Sequence, residues 1–123
     1  MPAEIQYTPI LEPRFGALDR MDIPAIAADV SDPAYSETLC RVNEAVVRFG
    51  VLKGELPFHQ HDDEDEFFYV VDGELTIELE DRRIGLRPGQ AITVPKGLQH
   101  RPIAPQRTII LMVERAGVTP TGD

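Results

Sequence analysis

Residues 66–80 read EFFYVVDGELTIELE and contain two strand patterns joined by a turn. The run FFYVV is aromatic and β-branched, which is typical of strands. Asp72-Gly73 follows it, and such a pair between two strand patterns favours a hairpin because its turn positions need positive φ. Residues 75–80 then alternate apolar and polar side chains at a period of two, as in a half-buried strand. The stretch therefore predicts a β-hairpin.

Outward from this hairpin, the sequence from Asn43 onward predicts further short strands. They lie at Ala45–Val51, around Ile84 and Leu86, at Ala91–Val94 and at Thr108–Glu114. Proline and glycine turns separate them, and roughly six to eight short strands with almost no helix indicate an antiparallel sandwich or barrel. The predicted fold class is all-β, with residues 41–123 forming the barrel.

Residues 1–40 form an arm that we assign to the same domain. Five of the 11 prolines lie in it, a density that neither sheet ladders nor helix interiors tolerate. One short helix is predicted around Pro24–Val30, with Asp22 as its N-cap and proline in its first turn. We expect the rest of the arm to wrap the outside of the barrel or to reach a partner subunit.

Composition and charge narrow the classes of protein. The 123 residues suit one domain, and 42% hydrophobic with 27% charged residues indicate a folded chain. The net charge of −9 disfavours a nucleic-acid partner. No apolar run approaches the ~18 residues of a membrane span, and the N-terminus lacks a secretory pattern. The single cysteine, Cys40, forms no internal disulfide, so we expect a cytoplasmic protein.

The three histidines carry most of the information about function. His59 and His61 are one residue apart on a strand-like stretch, so their side chains point the same way. Glu66 begins the FFYVV strand, and His100 follows a turn much later in the chain. Three imidazoles and a carboxylate suit Fe(II), Mn(II), Ni(II), Zn(II) or Cu(II). From these residues alone, surface histidines beside the acidic run Asp62–Glu66 remain an alternative.

Two segments resemble the motifs of the cupin family. The first motif, G-x5-H-x-H-x3-4-E-x6-G, is matched at Gly54, His59, His61, Glu66 and Gly73. The second, G-x5-P-x-G-x2-H-x3-N, is matched at Gly89, Pro95, Gly97 and His100. The match departs at two points: four residues rather than five separate Gly54 from His59, and Ala104 stands where the motif has Asn.

The resemblance implies a double-stranded β-helix, a jelly-roll barrel that holds one divalent transition metal per chain. The family's ligands fall here on His59, His61, Glu66 and His100. Glu66 is preferred to its acidic neighbours because it alone fits the gaps of the first motif on both sides. Three neutral histidines and one carboxylate leave about +1 on a divalent ion, which favours an anionic or chelating ligand.

Other side chains near this site have open roles. Phe68 shares a strand face with Glu66, so it is a candidate for the wall of a pocket. Arg48 interrupts an apolar strand: facing inward it would hold a carboxylate or phosphate, but an exposed arginine is the commoner case. Gln99 and Arg101 flank the third histidine and either orient it or face water.

Three alternative functions are considered for this chain. The first is a metal-dependent enzyme acting on a small molecule, either a dioxygenase or an isomerase or lyase. The second is a cupin that binds a small ligand without converting it. A metal-free structural cupin is disfavoured because all four ligand positions are filled. We also expect a homodimer, since a proline-rich arm and an exposed sheet edge both favour a partner strand.

Overall fold

The computed structural model describes residues 7–117 and confirms the all-β fold. One helix, α1, spans Ile23–Ala28. Seven strands follow: β1 Ala34–Val42, β2 Ala45–Glu55, β3 Glu66–Asp72, β4 Leu75–Glu78, β5 Arg83–Leu86, β6 Ala91–Val94 and β7 Arg101–Arg115. Within residues 7–117, no helix has both the length and the apolar character needed to cross a bilayer.

All strand pairs are antiparallel, and the sheet is organised around the long strand β7. The main order is β1-β2-β7-β3-β6, while β4 pairs with both β5 and β7. β7 therefore lies beside β2 on one edge, and on its other edge beside β4 at its beginning and β3 at its end. This arrangement is that of a double-stranded β-helix, with one face of the sheet turned inward.

Two strand boundaries differ from the prediction. The first strand begins at Ala34 rather than at Asn43. It was missed because the sequence of β1, AYSETLCRV, contains polar residues that interrupt the apolar alternation of a strand. β7 begins at Arg101 rather than at Thr108, although Pro102 and Pro105 suggest a turn. The register between β2 and β7 shifts near Pro105, so this proline lies where the ladder is already irregular.

From residue 7 onward, the arm packs against its own barrel. Ile10 forms a parallel bridge to Glu37, and the amides of Arg14 and Phe15 donate to carbonyls of β1. These bonds cover part of the outer edge of β1 with residues of the same chain. The predicted N-cap is confirmed, because Asp22 Oδ1 accepts a bond of 3.1 Å from the Ala25 amide. The homodimer stays a prediction.

Both faces of β2 are buried, which is unusual for an antiparallel strand. Its outward residues, such as Phe49 and Val51, pack in one cluster with Ile26 of α1 and Leu39 of β1. A second cluster fills the barrel itself and includes Phe68, Met112 and ten other buried residues. The inward face of β2 therefore looks into the barrel rather than into water.

The prediction of a β-hairpin at residues 66–80 is wrong, because β3 and β4 follow one another along the same edge of β7 and do not pair with each other. Gly73 lies in the connection between these two strands, where a side chain has no room. Its φ is +88°, and a Cβ there would lie 2.5 Å from Thr108 Oγ1 and 2.7 Å from the Arg107 carbonyl oxygen. We expect Gly73→Ala to lower the free energy of unfolding by about 3 kcal/mol, from left-handed backbone strain and overpacking together. Chemical denaturation measures this loss.

Gly89 is the matched control for this prediction. Its φ is +86°, but nothing lies within 4 Å of a Cβ built there. Gly89→Ala therefore carries only the backbone cost of about 1–2 kcal/mol. Equal losses in the two variants would show that crowding at Gly73 is unimportant.

Candidate metal centre

Four buried side chains converge inside the barrel: His59, His61, Glu66 and His100. One ligand atom from each lies within 4.8 Å of the others. We call these four residues the histidine–glutamate cluster. The structure thus brings together every residue that the cupin resemblance assigns to the metal, while their role as ligands stays a prediction.

Short backbone bonds hold the two loops that carry the histidines. His59 and His100 face each other in an antiparallel bridge, with amide-to-carbonyl distances of 2.9 and 3.0 Å. The Gly97 amide donates to the carbonyl of His61 at 2.7 Å. The Lys96 amide donates to Asp65 Oδ1 at 3.0 Å. These contacts fix the loops to each other, so the cluster does not depend on free loop ends.

Backbone carbonyls set the tautomers of two of the rings. Nδ1 of His59 lies 2.9 Å from the Pro57 carbonyl oxygen, and Nδ1 of His100 lies 2.9 Å from that of Leu98. A carbonyl only accepts, so each Nδ1 carries the proton and donates it. In the neutral rings Nε2 therefore carries a free electron pair, and this tautomer can bind a metal through Nε2.

The contacts of Glu66 show why a cation fits between these side chains. Its carboxylate oxygens lie 3.1 Å from His61 Nε2 and 3.3 Å from His100 Nε2. His100 already donates through Nδ1, so its neutral ring offers only an electron pair toward the carboxylate. Nε2 of His59 is buried and has no hydrogen-bond partner among the described residues. Electron pairs that converge in this way repel each other unless a proton or a metal ion lies between them. The three imidazoles and one carboxylate suit a divalent transition metal.

Arg48 and Glu114 form a buried hydrogen-bonded pair behind Glu66. Arg48 Nε donates to Glu114 Oε1 at 2.6 Å, and Arg48 Nη1 donates to Thr38 Oγ1 at 2.7 Å. Glu114 lies on β7 next to the pair formed by Val113 and Phe67, which places it opposite Glu66. Arg48, Glu114 and Glu66 thus form a row of ionisable groups across three strands.

The expectation that Arg48 faces solvent is wrong. Its side chain is only 3% exposed. The physical reason is that residues of the arm and α1 cover the outer face of β2, so the alternate face is the barrel interior. The ligand of this guanidinium is the protein's own carboxylate, Glu114, rather than a bound phosphate.

The pKa values follow from burial and from these contacts. Burial lowers the pKa of His59, which keeps its ring neutral and able to bind a metal. Burial by itself raises the pKa of Glu66, but the contacts of its carboxylate with His100, His61 and Glu114 outweigh that effect and lower the pKa to about 2. Burial and the adjacent Glu66 raise the pKa of Glu114 to about 9, against the opposing effect of Arg48.

A cavity adjoins the cluster through His59. The space in it that the centre of a water molecule can reach is about 20 Å³, enough for one or two water molecules. Phe68 lines it, as predicted, and the Phe68 ring also contacts His100 edge-on at a centroid distance of 6.3 Å. Tyr7 lines it too, and burial together with the charge of Glu66 raises the pKa of this phenol to about 12.

The predicted partners of His100 are different in the structure. Arg101 bonds to Glu78 and Glu55, and Gln99 bonds weakly to Gln60. The partner that orients His100 is the Leu98 carbonyl, which no side-chain pattern reveals.

Sequence reasoning also missed several residues near the cluster. Glu114 ends an apolar strand, and its same-face relation to Arg48 is visible only once the strands are paired. Tyr7 and Ser36 lie in the arm and in an unpredicted strand, and no local pattern points to either of them.

Comparison with known proteins gives the following matches. The family model described as "Cupin domain" matches residues 46–114. Uncharacterized protein YdbB of Bacillus subtilis (strain 168) is 37% identical over 91 residues, which are 73% of this chain and 80% of the relative. A cupin-2 domain containing protein from Shewanella frigidimarina superposes with a TM-score of 0.75 at 26% identity, covering 77% of this chain and 93% of that one. Protein NMB1881 from Neisseria meningitidis gives 0.72 at 19% identity, covering 79% and 99%, which shows the shared fold.

Proposed function

Because this chain belongs to the cupin family, we propose that it is a metal-dependent enzyme acting on a small molecule, with the histidine–glutamate cluster as its metal site. The observation that carries the proposal is the convergence of four buried ligand atoms within 4.8 Å. A bound divalent transition metal would supply Lewis acidity or, if redox-active, the activation of dioxygen.

The protein's own residues supply orientation and a dry environment. The carbonyls of Pro57 and Leu98 hold two imidazoles in the binding tautomer, so no proton must leave Nε2 when a metal arrives. Glu114, anchored by Arg48, lies opposite Glu66 on the neighbouring strand β7. Apolar walls around Phe68 exclude water from one side of the cluster.

The test of this proposal separates conversion from binding. Metal-loaded protein is incubated with a mixture of small cellular metabolites, with and without oxygen, and consumed and formed compounds are followed by mass spectrometry. We expect at least one compound to be converted by the native protein and not by Glu66→Gln. Oxygen dependence would assign a dioxygenase, and its absence an isomerase or lyase.

Two results would overturn the enzyme proposal. A compound that binds in calorimetry and is recovered unchanged would make the protein a ligand-binding cupin. Conversion at equal rates by the native protein and Glu66→Gln would place the chemistry outside the histidine–glutamate cluster.

A further inference from the structure

The histidine–glutamate cluster is closed to molecules larger than water. None of its four residues is more than 9% exposed. The cavity beside His59 leaves about 20 Å³ for the centre of a water molecule, which is room for one or two waters. A substrate of the proposed enzyme cannot reach the cluster in this conformation, so part of the cavity wall has to move.

One residue of the cavity wall lies outside the sheet and the segments bonded to it. Of the 12 lining residues, 11 belong to β1, β2, β3 and β7 or to residues 56–59. Residues 56–59 are fixed by the Leu56 amide, which donates to the Pro102 carbonyl at 3.1 Å, and by the bridge of His59. The twelfth lining residue is Tyr7 of the arm. Moving Tyr7 therefore disturbs fewer backbone bonds than moving any other part of this wall.

Residues 7–9 precede the first backbone bonds between the described arm and β1. Those bonds are at Ile10, whose amide donates to the Ser36 carbonyl and whose carbonyl accepts from the Thr38 amide, both at 2.9 Å. Among residues 7–117, no backbone bond joins residues 7–9 to the barrel, and Pro9 has no amide hydrogen to donate. We call residues 7–9 the strap. It can swing outward while the bonds of Ile10 stay intact.

The Tyr7 side chain holds the strap against the barrel. Its ring packs on the apolar cluster that fills the barrel, and it lines the same cavity as His59 and Phe68. The charges of Glu66 and Glu114 both act on the phenol, which places its hydroxyl end toward these carboxyl groups. A segment held by one side chain and few backbone bonds opens more readily than the strands around it.

We propose that the strap is a lid: Tyr7 closes the histidine–glutamate cluster in the free protein and swings out to admit a substrate, which occupies the space that the phenol ring leaves. The lid rests on the proposed function in one respect, since it assumes that a substrate reaches the cluster. Closure lowers the apparent affinity for a ligand in proportion to the fraction of open molecules.

Chemical modification of the histidines tests the closure without any metal. All three histidines of the chain belong to the cluster, so their reaction with diethyl pyrocarbonate reports its accessibility. The reaction rate at each histidine is measured by peptide mapping on metal-free protein. Minor conformations commonly have populations of roughly 0.1–10%, so we expect Tyr7→Ala to react at least about tenfold faster than the native protein. Equal rates would show that Tyr7 does not close the cluster.

Two control variants separate opening of the lid from general loosening. Ile26→Ala removes a buried side chain from the outer apolar cluster, away from the cavity. Leu11→Ala removes a side chain that is 57% exposed, from the arm beyond the strap. We expect both to react at the native rate. If Ile26→Ala reacts as fast as Tyr7→Ala, loss of stability explains the effect and the lid is contradicted.

Fluorine NMR tests whether the strap moves in a chain whose Tyr7 is kept. The protein is labelled with 3-fluorotyrosine at its three tyrosines, and the Tyr7 signal is assigned as the one missing in Tyr7→Phe. Zn(II)-loaded protein is titrated with benzohydroxamate, which binds metals through two oxygens and carries a ring of about the size of the phenol. We expect the Tyr7 signal to shift to that of a solvent-exposed tyrosine, and the signal of Tyr69, which does not line the cavity, to stay. An unchanged Tyr7 signal in the complex would overturn the lid.

Failure of the lid and failure of the metal site give different results. If Zn(II) does not bind but Tyr7→Ala still exposes the histidines, the metal site is wrong and the closure by Tyr7 stands. If Zn(II) and benzohydroxamate bind equally well to the native protein and to Tyr7→Ala, the metal site stands and the lid is overturned. Weaker binding of benzohydroxamate to Tyr7→Ala would make Tyr7 a part of the ligand site and likewise contradict the lid.

Discussion

Replacing His61 by alanine is expected to lower the affinity for a divalent transition metal by more than 100-fold. His61 Nε2 lies 3.1 Å from a Glu66 oxygen inside the histidine–glutamate cluster, and its side chain is 2% exposed. Changing a residue that merely supports a metal ligand costs roughly 10–100-fold, so losing a ligand costs more. The measurement is metal per chain after reconstitution and desalting, with circular dichroism to confirm that the β fold is retained.

Gln60→Ala is the matched control for this loss. Gln60 lies between His59 and His61, but its side chain bonds to Asp62 at 2.8 Å on the surface. We expect the control to retain as much metal as the native protein. If His61→Ala retains as much metal per chain as the native protein, His61 is not a metal ligand. If both variants lose metal equally, the loss reflects a general disruption of the loop rather than the removal of a ligand.

The second large effect concerns the buried pair of Arg48 and Glu114. Glu114→Leu leaves a guanidinium that cannot lose its proton inside the barrel without its carboxylate partner. We expect the metal-free protein to lose about 3–5 kcal/mol of unfolding free energy, or roughly 10–20 °C in melting temperature. Arg48→Met should cost less, since burial and Glu66 already raise the pKa of Glu114 and the carboxyl group can keep its proton.

The double variant Arg48→Met/Glu114→Leu completes this test. Replacing both partners by apolar side chains of similar volume often restores stability, because no charge is left buried alone. We expect it to recover most of the loss seen in Glu114→Leu. A larger loss in Arg48→Met than in Glu114→Leu would show that Glu114 is ionised and that the protein depends chiefly on that negative charge.

Local patterns sufficed for the fold class, and the four converging residues were identified with the help of the resemblance to cupins. The two strands at residues 66–80 are found as predicted, with β3 at Glu66–Asp72 and β4 at Leu75–Glu78. They do not form the predicted hairpin, because both pair with β7 and neither pairs with the other. The expectation that His59 and His61 point the same way came from the alternation of side chains in an extended chain, which depends only on neighbours in sequence. The structure places both residues in the loop between β2 and β3. The position of His100 beside them came from the resemblance to cupins, since nothing local relates residues so far apart.

The inward polar residues could not be predicted in the same way. Whether Arg48 faces water or the barrel depends on what covers the other face of β2. That cover comes from Ile26 of α1 and Leu39 of β1, which meet β2 only in the folded chain. Ser36 was missed for a related reason, because β1 is buried on both faces and shows no apolar alternation. Long-range packing, rather than local propensity, decides these positions.

The account depends on one central claim, that the histidine–glutamate cluster binds a single divalent transition metal. The most direct measurement is the metal content of protein purified without a histidine tag or chelator, by plasma mass spectrometry at known protein concentration. We predict about one transition metal ion per chain, either as purified or after reconstitution with Fe(II), Mn(II), Ni(II) or Zn(II). No retained metal under any of these conditions would contradict the claim.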